Sequence, residues 1–537
     1  MSRSRSLLAS AFRGVSRSVV CGVVMVVITA TAAEAQVTAL ASDGNAEHNP
    51  DKKEDSWLEQ RDNQREIVVR TRELTLYPQA EPVPALRYRL LPDSFDMKPG
   101  NAAVHYLKAL GFLEQEPARQ QRQQYIKEAT DRAVKQGKGV GEVPPYVWNS
   151  TPPDQLPLEE VKKFLAWTDF QRPMLREGSL RRDFNMDRHY ADTPNPIAYL
   201  LPEIQSMRDV ARLQSMRCRV AIAEGELEQA IEIVGQQFAM ARHLGQDDFL
   251  VSNLVGIAIA GIAWNDMLYI LEQPDAPNLY WALTTMPNPL VDTTHGMAVE
   301  RQFLYLQLKS LREVDEQPRD PGYWREFMAR LPNEIGSLGS ELGLGGGDRD
   351  KLQQSLTVAA AMAYPGAKQY LIEVLKMDAP KVEAMPVAQV VLLAAVRFHD
   401  QMRDDMFKWD SLPPWQGIAV RGANDRQLQA ATKQYGLFTA PTATLLPAVN
   451  AVRTARARCD QTIALLRAVE AVRMYAANHD GQLPRTLDEL DVPAPIEPFT
   501  GKPIRYEWLK DRAILEGHVV PGLQYRLVLR IKQNKEK

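Results

Sequence analysis

The stretch "AIAEGELEQAIEIVGQQFAMARHLG", residues 221–245, constrains the fold more than any other part of the chain. Val210, Leu213, Cys218, Val220, Ala221 and Ile222 recur at helical spacing up to Gly225, and Leu227, Ala230, Ile231, Val234, Phe238 and Ala241 recur at the same spacing beyond it. Two helices that each carry one apolar face and meet at a glycine must fold back on one another to bury those faces. Ala221 and Ala230 are small enough to let them approach closely. The segment that follows, "FLVSNLVGIAIAGIAWNDMLYIL", is apolar nearly all round. It carries no charge from Phe249 to Asn265, but Ser252, Asn253 and Asn265 interrupt it and Asp266 closes it. This predicts a helix buried on most sides rather than a membrane span. Gly256, Ala260 and Gly261 offer places where a neighbouring helix can pack close.

The N-terminus reads as a secretory signal peptide over residues 1–35. Arg3, Arg5, Arg13 and Arg17 precede an apolar run from Val19 to Ile28, and Ala33-Glu34-Ala35 supplies the small-residue cleavage pattern before Gln36. A retained anchor is the alternative, yet the run is shorter than the roughly 20 residues a spanning helix needs. The mature chain is therefore expected in the periplasm or outside the cell. Residues 36–63 are polar, acidic and poor in aromatics, which predicts a disordered lead-in. Loss of the four arginines and Glu34 moves the formal charge from −3 to about −6. That charge argues against a nucleic-acid binder, whose affinity rests on neutralising phosphates with a basic face, so nucleic acid is not an expected partner. Cys218 and Cys459 are too few to frame a fold of this size, and stability must come from a packed core, for which 45% apolar composition is ample. Both lie in helical patterns, where buried free thiols are the simpler reading and a disulfide the alternative.

In "EPVPALRYRLLPDSFDMKPGNAAVHYLKAL" the prolines impose extended backbone, and Pro99-Gly100-Asn101 makes a turn with a helix cap before Val104, Leu107 and Leu110. The loop "GKGVGEVPPYVWNSTPPDQLP" delivers Pro157 to the first turn of the helix "LEEVKKFLAW". The proline loop "QPDAPNLYWALTTMPNP" presents Tyr280-Trp281, read as a plug between helices, with an exposed binding surface as the alternative. Residues 296–330 and 350–410 form further amphipathic helices, separated by a Gly-rich linker, 336–347. Glycines 343, 345, 346 and 347 do not make a phosphate loop, because Asp348 stands where a dinucleotide fingerprint wants glycine and no strand precedes them. The expected division is an N-terminal helical domain, 64–275, a second helical region, 276–455, and a C-terminal helix plus β-hairpin module, 456–537. The fold class is mainly α: a helical-hairpin array or an irregular helical domain with a small C-terminal α+β module.

Ala221, Gly225 and Ala230 form the pattern A-x-x-x-G-x-x-x-x-A, which resembles the tetratricopeptide motif. The resemblance covers one motif, without a second copy at that family's period, and implies a tetratricopeptide-like hairpin. Toward the C-terminus, Ile463, Leu466, Val469, Val472 and Ala476 line a helix that His479-Asp480-Gly481 ends. Pro484 opens a helical turn through Leu487 and Leu490. Pro493, Pro495 and Pro498 then lead to "PFTGKPIRYEW", and Lys510-Asp511 turns between strands Ile504–Leu509 and Arg512–Glu516. That order is similar to the C-terminal part of type II secretion major pseudopilins. Pseudopilins join this module directly to an N-terminal hydrophobic helix with a glycine-phenylalanine processing site. Here it lies far downstream of an ordinary signal peptide, which implies reuse as a small domain. Together with "RYRLLP", "PGNAAVHYLKAL", "LVGIAIAG" and "QPDAPNLYWAL", the closing segment also resembles an uncharacterised family of secreted bacterial helical proteins. This second resemblance spans nearly the whole mature chain and implies no known activity.

Motifs with chemistry are sparse: there is no H-E-x-x-H, no C-x-x-C and no G-x-S-x-G on a strand-to-helix turn. Asp183, Asp187, His189 and Asp192 are of types that hold divalent metals, but the interleaved Arg181, Arg182 and Arg188 neutralise the same acids. Asp400 and Asp404 share a helical face with His399 beside them, as paired carboxylates for acid and base work would. Arg397, Arg403 and Lys408 flank them, which suits a solvated helix face. No catalytic, cofactor-binding or metal residue is assigned, no cofactor is expected, and no membrane span is expected after signal cleavage. Two function classes stay open: a non-enzymatic secreted or periplasmic scaffold that binds a protein or peptide, and a hydrolase-type enzyme of unknown substrate using Asp400 and Asp404.

Overall fold

Helical periodicity broken by glycine and proline produces a chain of helices, and a computed structural model describes residues 56–111, 117–139, 142–193, 201–335, 349–520 and 522–532. The signal peptide, residues 36–55 of the lead-in and the linker 336–347 lie outside them. In chain order the strands are β1 (Leu58–Asp62), β2 (Ile67–Leu76), β3 (Lys98–Asn101), β4 (Arg181–Asp183), β5 (Arg505–Trp508), β6 (Ala513–Glu516) and β7 (Leu523–Ile531). The first helices are α1 (Ala102–Leu110), α2 (Pro117–Lys135), α3 (Leu158–Ala166), α4 (Gln171–Ser179), α5 (Pro202–Ala223), α6 (Leu227–Gly245), α7 (Leu250–Leu271) and α8 (Tyr280–Thr284). They are followed by α9 (Thr294–Gln307), α10 (Pro321–Ile335), α11 (Arg349–Gln369), α12 (Ala379–Glu383), α13 (Val387–Phe407), α14 (Pro414–Tyr435), α15 (Ala440–Leu445) and α16 (Pro447–Asn478). The fold is mainly α with a small sheet that includes the C-terminal strands.

Contacts divide the chain into two units that are not consecutive in sequence. One is built from Met297–Arg453 with a short piece beginning at Asp187; the other joins the stretch ending at Met186, Leu201–Gly296 and the stretch beginning at Thr454. The boundaries 64–275, 276–455 and 456–537 therefore miss the main fact of the architecture. In the second unit a five-stranded sheet runs β1-β2-β7-β6-β5, and β2 lies parallel to β7 from Val68 opposite Leu523 to Leu76 opposite Ile531. The C-terminal hairpin is thus completed by an N-terminal strand. Ile67, Val69, Leu74 and Leu76 of β2 and Leu523, Leu527 and Leu529 of β7 are buried.

Part of the polar stretch 36–63 is ordered against the expectation from its composition. Residues 58–62 are β1, antiparallel to β2. The anchor is Trp57, whose ring lies 5.2 Å from Trp264 and 5.6 Å from Tyr525 and whose indole N–H donates to Asn265 Oδ1 at 3.0 Å. One large apolar side chain outweighs the polar composition around it.

The hairpin of α5 and α6 turns at Gly225, with φ of +78°, and the Glu226 N–H donates to the Ala221 carbonyl at 2.8 Å. Ala221 and Ala230 are buried, and the Cys218 thiol donates to the Ala230 carbonyl at 3.7 Å. Behind them α7 is buried over most of its length. A Cβ on Gly256 would lie 2.8 Å from the Ala241 carbonyl oxygen, so the missing side chain sets the close approach of α6 and α7. Gly261 faces open space and makes no such contact. Beyond the uncharged run α7 continues to Leu271, and Asp266, which ends that run, is itself fully buried.

In α1 the Asn101 side chain accepts the Ala103 N–H at 3.0 Å, as a cap does. The buried face is Ala102, Ala103, Tyr106 and Ala109, while Val104 is exposed, against the expectation from its apolar character. The reason is a close crossing: a Cβ on Gly178 of α4 would stand 2.7 Å from the Tyr106 ring, so small residues face the neighbour. In the unit containing Met297–Arg453, Tyr370, Phe398 and Phe438 pack with ring centroids 5.6 to 5.8 Å apart, and Trp324 lies 5.4 Å from Phe327. At the C-terminal end of α16 Gly481 takes φ of +73° and its N–H reaches the Ala476 carbonyl at 2.8 Å. Strands β5 and β6 then pair antiparallel.

Candidate functional site

The first acid cluster does not assemble. His189 sits in an exposed turn with Nε2 4.0 Å from Asp187 and Nδ1 3.9 Å from Asp192, all three side chains in solvent. Asp183, in β4, lies 3.7 Å from the Arg182 guanidinium. Among the described residues no group of three or more His, Cys, Asp or Glu side chains is spaced to hold a metal ion.

The second cluster is more structured than a solvated face. Asp400 Oδ1 accepts both the Tyr305 hydroxyl and Arg403 Nη1 at 2.7 Å, and Arg403 Nε donates to Asp404 at 3.0 Å. Arg403 is largely buried and Asp400 partly so; only Asp404 faces mainly to water. Burial, with Arg403 adding, pushes the His399 imidazole down to about 4. Its Nδ1 lies 3.4 Å from Thr442 Oγ1. The two carboxylates are bridged by one arginine, and the buried imidazole has Thr442 as its hydrogen-bonding neighbour.

Other ionisable groups are buried and engaged. In the unit with the five-stranded sheet, Asp266 accepts the Ser215 hydroxyl at 2.7 Å, Arg219 Nε at 3.3 Å and Gln237 Nε2 at 3.2 Å. Glu470 and Arg473, both fully buried, pair at 2.7 Å. Burial pushes the Glu470 carboxyl up, and Arg473 opposes it. The Leu279 N–H donates to Glu470 Oε1 at 2.7 Å and Arg473 Nη2 donates to the Ala276 carbonyl at 2.8 Å, which fixes the proline loop. Tyr280 is buried there with its hydroxyl on the Pro493 carbonyl at 2.8 Å, and the half-buried Trp281 donates its indole N–H to Glu81. The aromatic pair is a plug. Cys218 and Cys459 are free and buried, and burial holds both thiols well above their usual range, far from the thiolate state reactivity needs.

Sequence reasoning missed a cleft between α2 and α3. Val161, Phe164 and Leu165 form the buried face of α3, and Tyr125, Ala129 and Ala133 repeat every four residues along α2. Alanines opposite an aromatic ridge leave space, here a cavity of about 450 Å³. That volume lies in the range typical of ligand pockets. Its floor is Tyr125, Phe164 and Trp167, with ring centroids 5.6 to 5.8 Å apart, closed by Ala129, Ala133 and Pro144. Its rim carries Arg132, Lys138, Lys163, Glu142 and Glu160. Burial pushes the Tyr125 hydroxyl up, Glu160 adding to the effect and Arg132 opposing it. The available signal was aromatic density: Tyr125, Trp148, Phe164 and Trp167 fall within one loop and its two flanking helices.

No known protein family, curated protein or solved structure matches the chain.

Proposed function

We propose that this protein is an exported, non-enzymatic helical scaffold that binds a peptide segment of a partner in the cleft between α2 and α3. The single observation that carries this reading is an aromatic floor beneath a rim of both charge signs, in a cavity of about 450 Å³. Apolar lining supplies affinity and a few polar groups supply orientation. The carboxylates of Asp400 and Asp404, held on one arginine, offer nothing comparable to a substrate.

Random peptides displayed on phage and panned on the full chain test the reading, with an Ala133→Trp variant, whose indole fills the cleft, as the control. Enrichment on the wild type and not on Ala133→Trp is expected. Equal enrichment on both overturns the cleft as the site. Export is tested separately: N-terminal sequencing of envelope material is expected to start at Gln36, and an intact Met1 on that pool overturns it.

A further inference from the structure

The cleft rim carries both charge signs. Glu142 accepts the Gly139 N–H at 3.2 Å, whereas Glu160 enters no ion pair among the described residues. Arg132 directs Nε to the Glu128 carbonyl at 3.3 Å, while its terminal nitrogens, Lys138 and Lys163 enter no ion pair among the described residues. Neighbouring lysines in the same unit behave differently: Lys162 reaches Glu224 at 2.8 Å and Lys98 reaches Glu177 at 2.8 Å. The cleft therefore holds unengaged cations beside an aromatic floor. Lys163 and Phe164 of α3, and Arg132 and Ala133 of α2, line the same cleft.

Resting on the peptide-binding reading, we propose that the cleft captures the C-terminal end of a peptide whose last residue is large and apolar. The side chain lies on Tyr125, Phe164 and Trp167, and the α-carboxylate meets Arg132, Lys138 and Lys163. A C-terminal residue suits this pairing because its side chain and its carboxylate hang from one carbon, whereas an internal apolar residue brings no charge of its own. Charge-assisted hydrogen bonds to a carboxylate are the strong ones, and capture of a chain terminus by such donors is a recurring mode of peptide recognition.

Fluorescence anisotropy on the full chain tests this with a fluorescein-labelled hexapeptide of glycine and serine ending in Phe, as free acid and as C-terminal amide. The amide is expected to bind about tenfold more weakly, the loss of one charged contact. In the Arg132→Gln/Lys138→Gln/Lys163→Gln variant, whose substitutions lie on the exposed rim, the two peptides should bind alike at an unchanged melting temperature. Equal binding of acid and amide to the wild type overturns the carboxylate assignment while leaving peptide binding in place. No binding of either peptide, when panned peptides still bind, also overturns it alone; failure of the panning as well removes the parent reading. N-acetylphenylalanine competing as tightly as the peptide overturns the peptide in favour of a small aromatic acid.

Discussion

Asp266 and Asp400 are both helix-borne aspartates beside an arginine, one in each compact unit, and they teach opposite lessons. Asp400 pairs with Arg403 three residues along its own helix, a contact that spacing alone makes legible, and it keeps about a third of its side chain in solvent. Asp266 is fully buried, and its partners Ser215, Arg219 and Gln237 come from two other helices. In the first case water can replace a lost partner. In the second nothing can, so the same residue type is incidental in one place and obligatory in the other.

The contrast breaks most readily at Asp266. Asp266→Ala leaves Arg219 buried without its carboxylate and is expected to cost about 3–5 kcal/mol, read by urea unfolding. A loss below about 1 kcal/mol would mean that water reaches the site and that the contrast with Asp400 is false.

Next in size is a pH effect on His243, also in the sheet-bearing unit. The Tyr106 hydroxyl lies 2.8 Å from Nδ1, and the Arg181 carbonyl and Arg242 Nη2 each lie 2.8 Å from Nε2, so the ring is enclosed on both edges. Burial, with Arg242 adding, pushes the imidazole down to about 3 from 6.5. The unfolded chain therefore takes up a proton below pH 6.5 that the folded one refuses, and stability falls as pH drops from 6.5 toward 3. Between pH 6.5 and 4 this is worth about 3 kcal/mol. The stability difference between wild type and His243→Gln should change by that amount across the window; a constant difference would place the imidazole in contact with water.

The hairpin gives a smaller test. Ala230→Leu drives a branched side chain into the α5–α6 contact and is expected to cost about 1–3 kcal/mol. Gly225→Ala meets no atom within 4 Å but puts a side chain at positive φ, for a loss of about 1 kcal/mol. A neutral Ala230→Leu would show that the two helices stand further apart than small residues require.

The smallest effects belong to the other aspartates. Asp400→Ala forfeits the Tyr305 and Arg403 contacts and should cost about 1 kcal/mol, while Asp404→Ala, on the solvent side of the same arginine, should cost about 0.5 kcal/mol or less. Urea midpoints that reverse this order would make Asp404 the structural partner of Arg403.

Much of the helical architecture was legible because it is local. The period of α5 and α6, the glycine between them, the Asn101 cap and the burial of α7 all follow from neighbours a few residues apart. Long-range pairing was not legible. Strand β2 finds its partner in β7, more than four hundred residues downstream, and Trp57 is held in a polar stretch because rings from distant elements receive it. Val104 misled for a related reason, since it lies on the face that α4 does not cover.

The sequence by itself determined a mainly helical chain with a glycine-hinged helix pair, a proline loop plugged by Tyr280 and a C-terminal hairpin, because helix period, turn chemistry and side-chain size act within a few residues. Only the tertiary structure decided that N- and C-terminal strands share one sheet and that Asp266 is a buried hub. It also decided that alanines on α2 stand opposite aromatics on α3 and leave a cleft. These depend on which surfaces meet across hundreds of residues, and burial, desolvation and empty space are properties of the meeting, not of either surface alone.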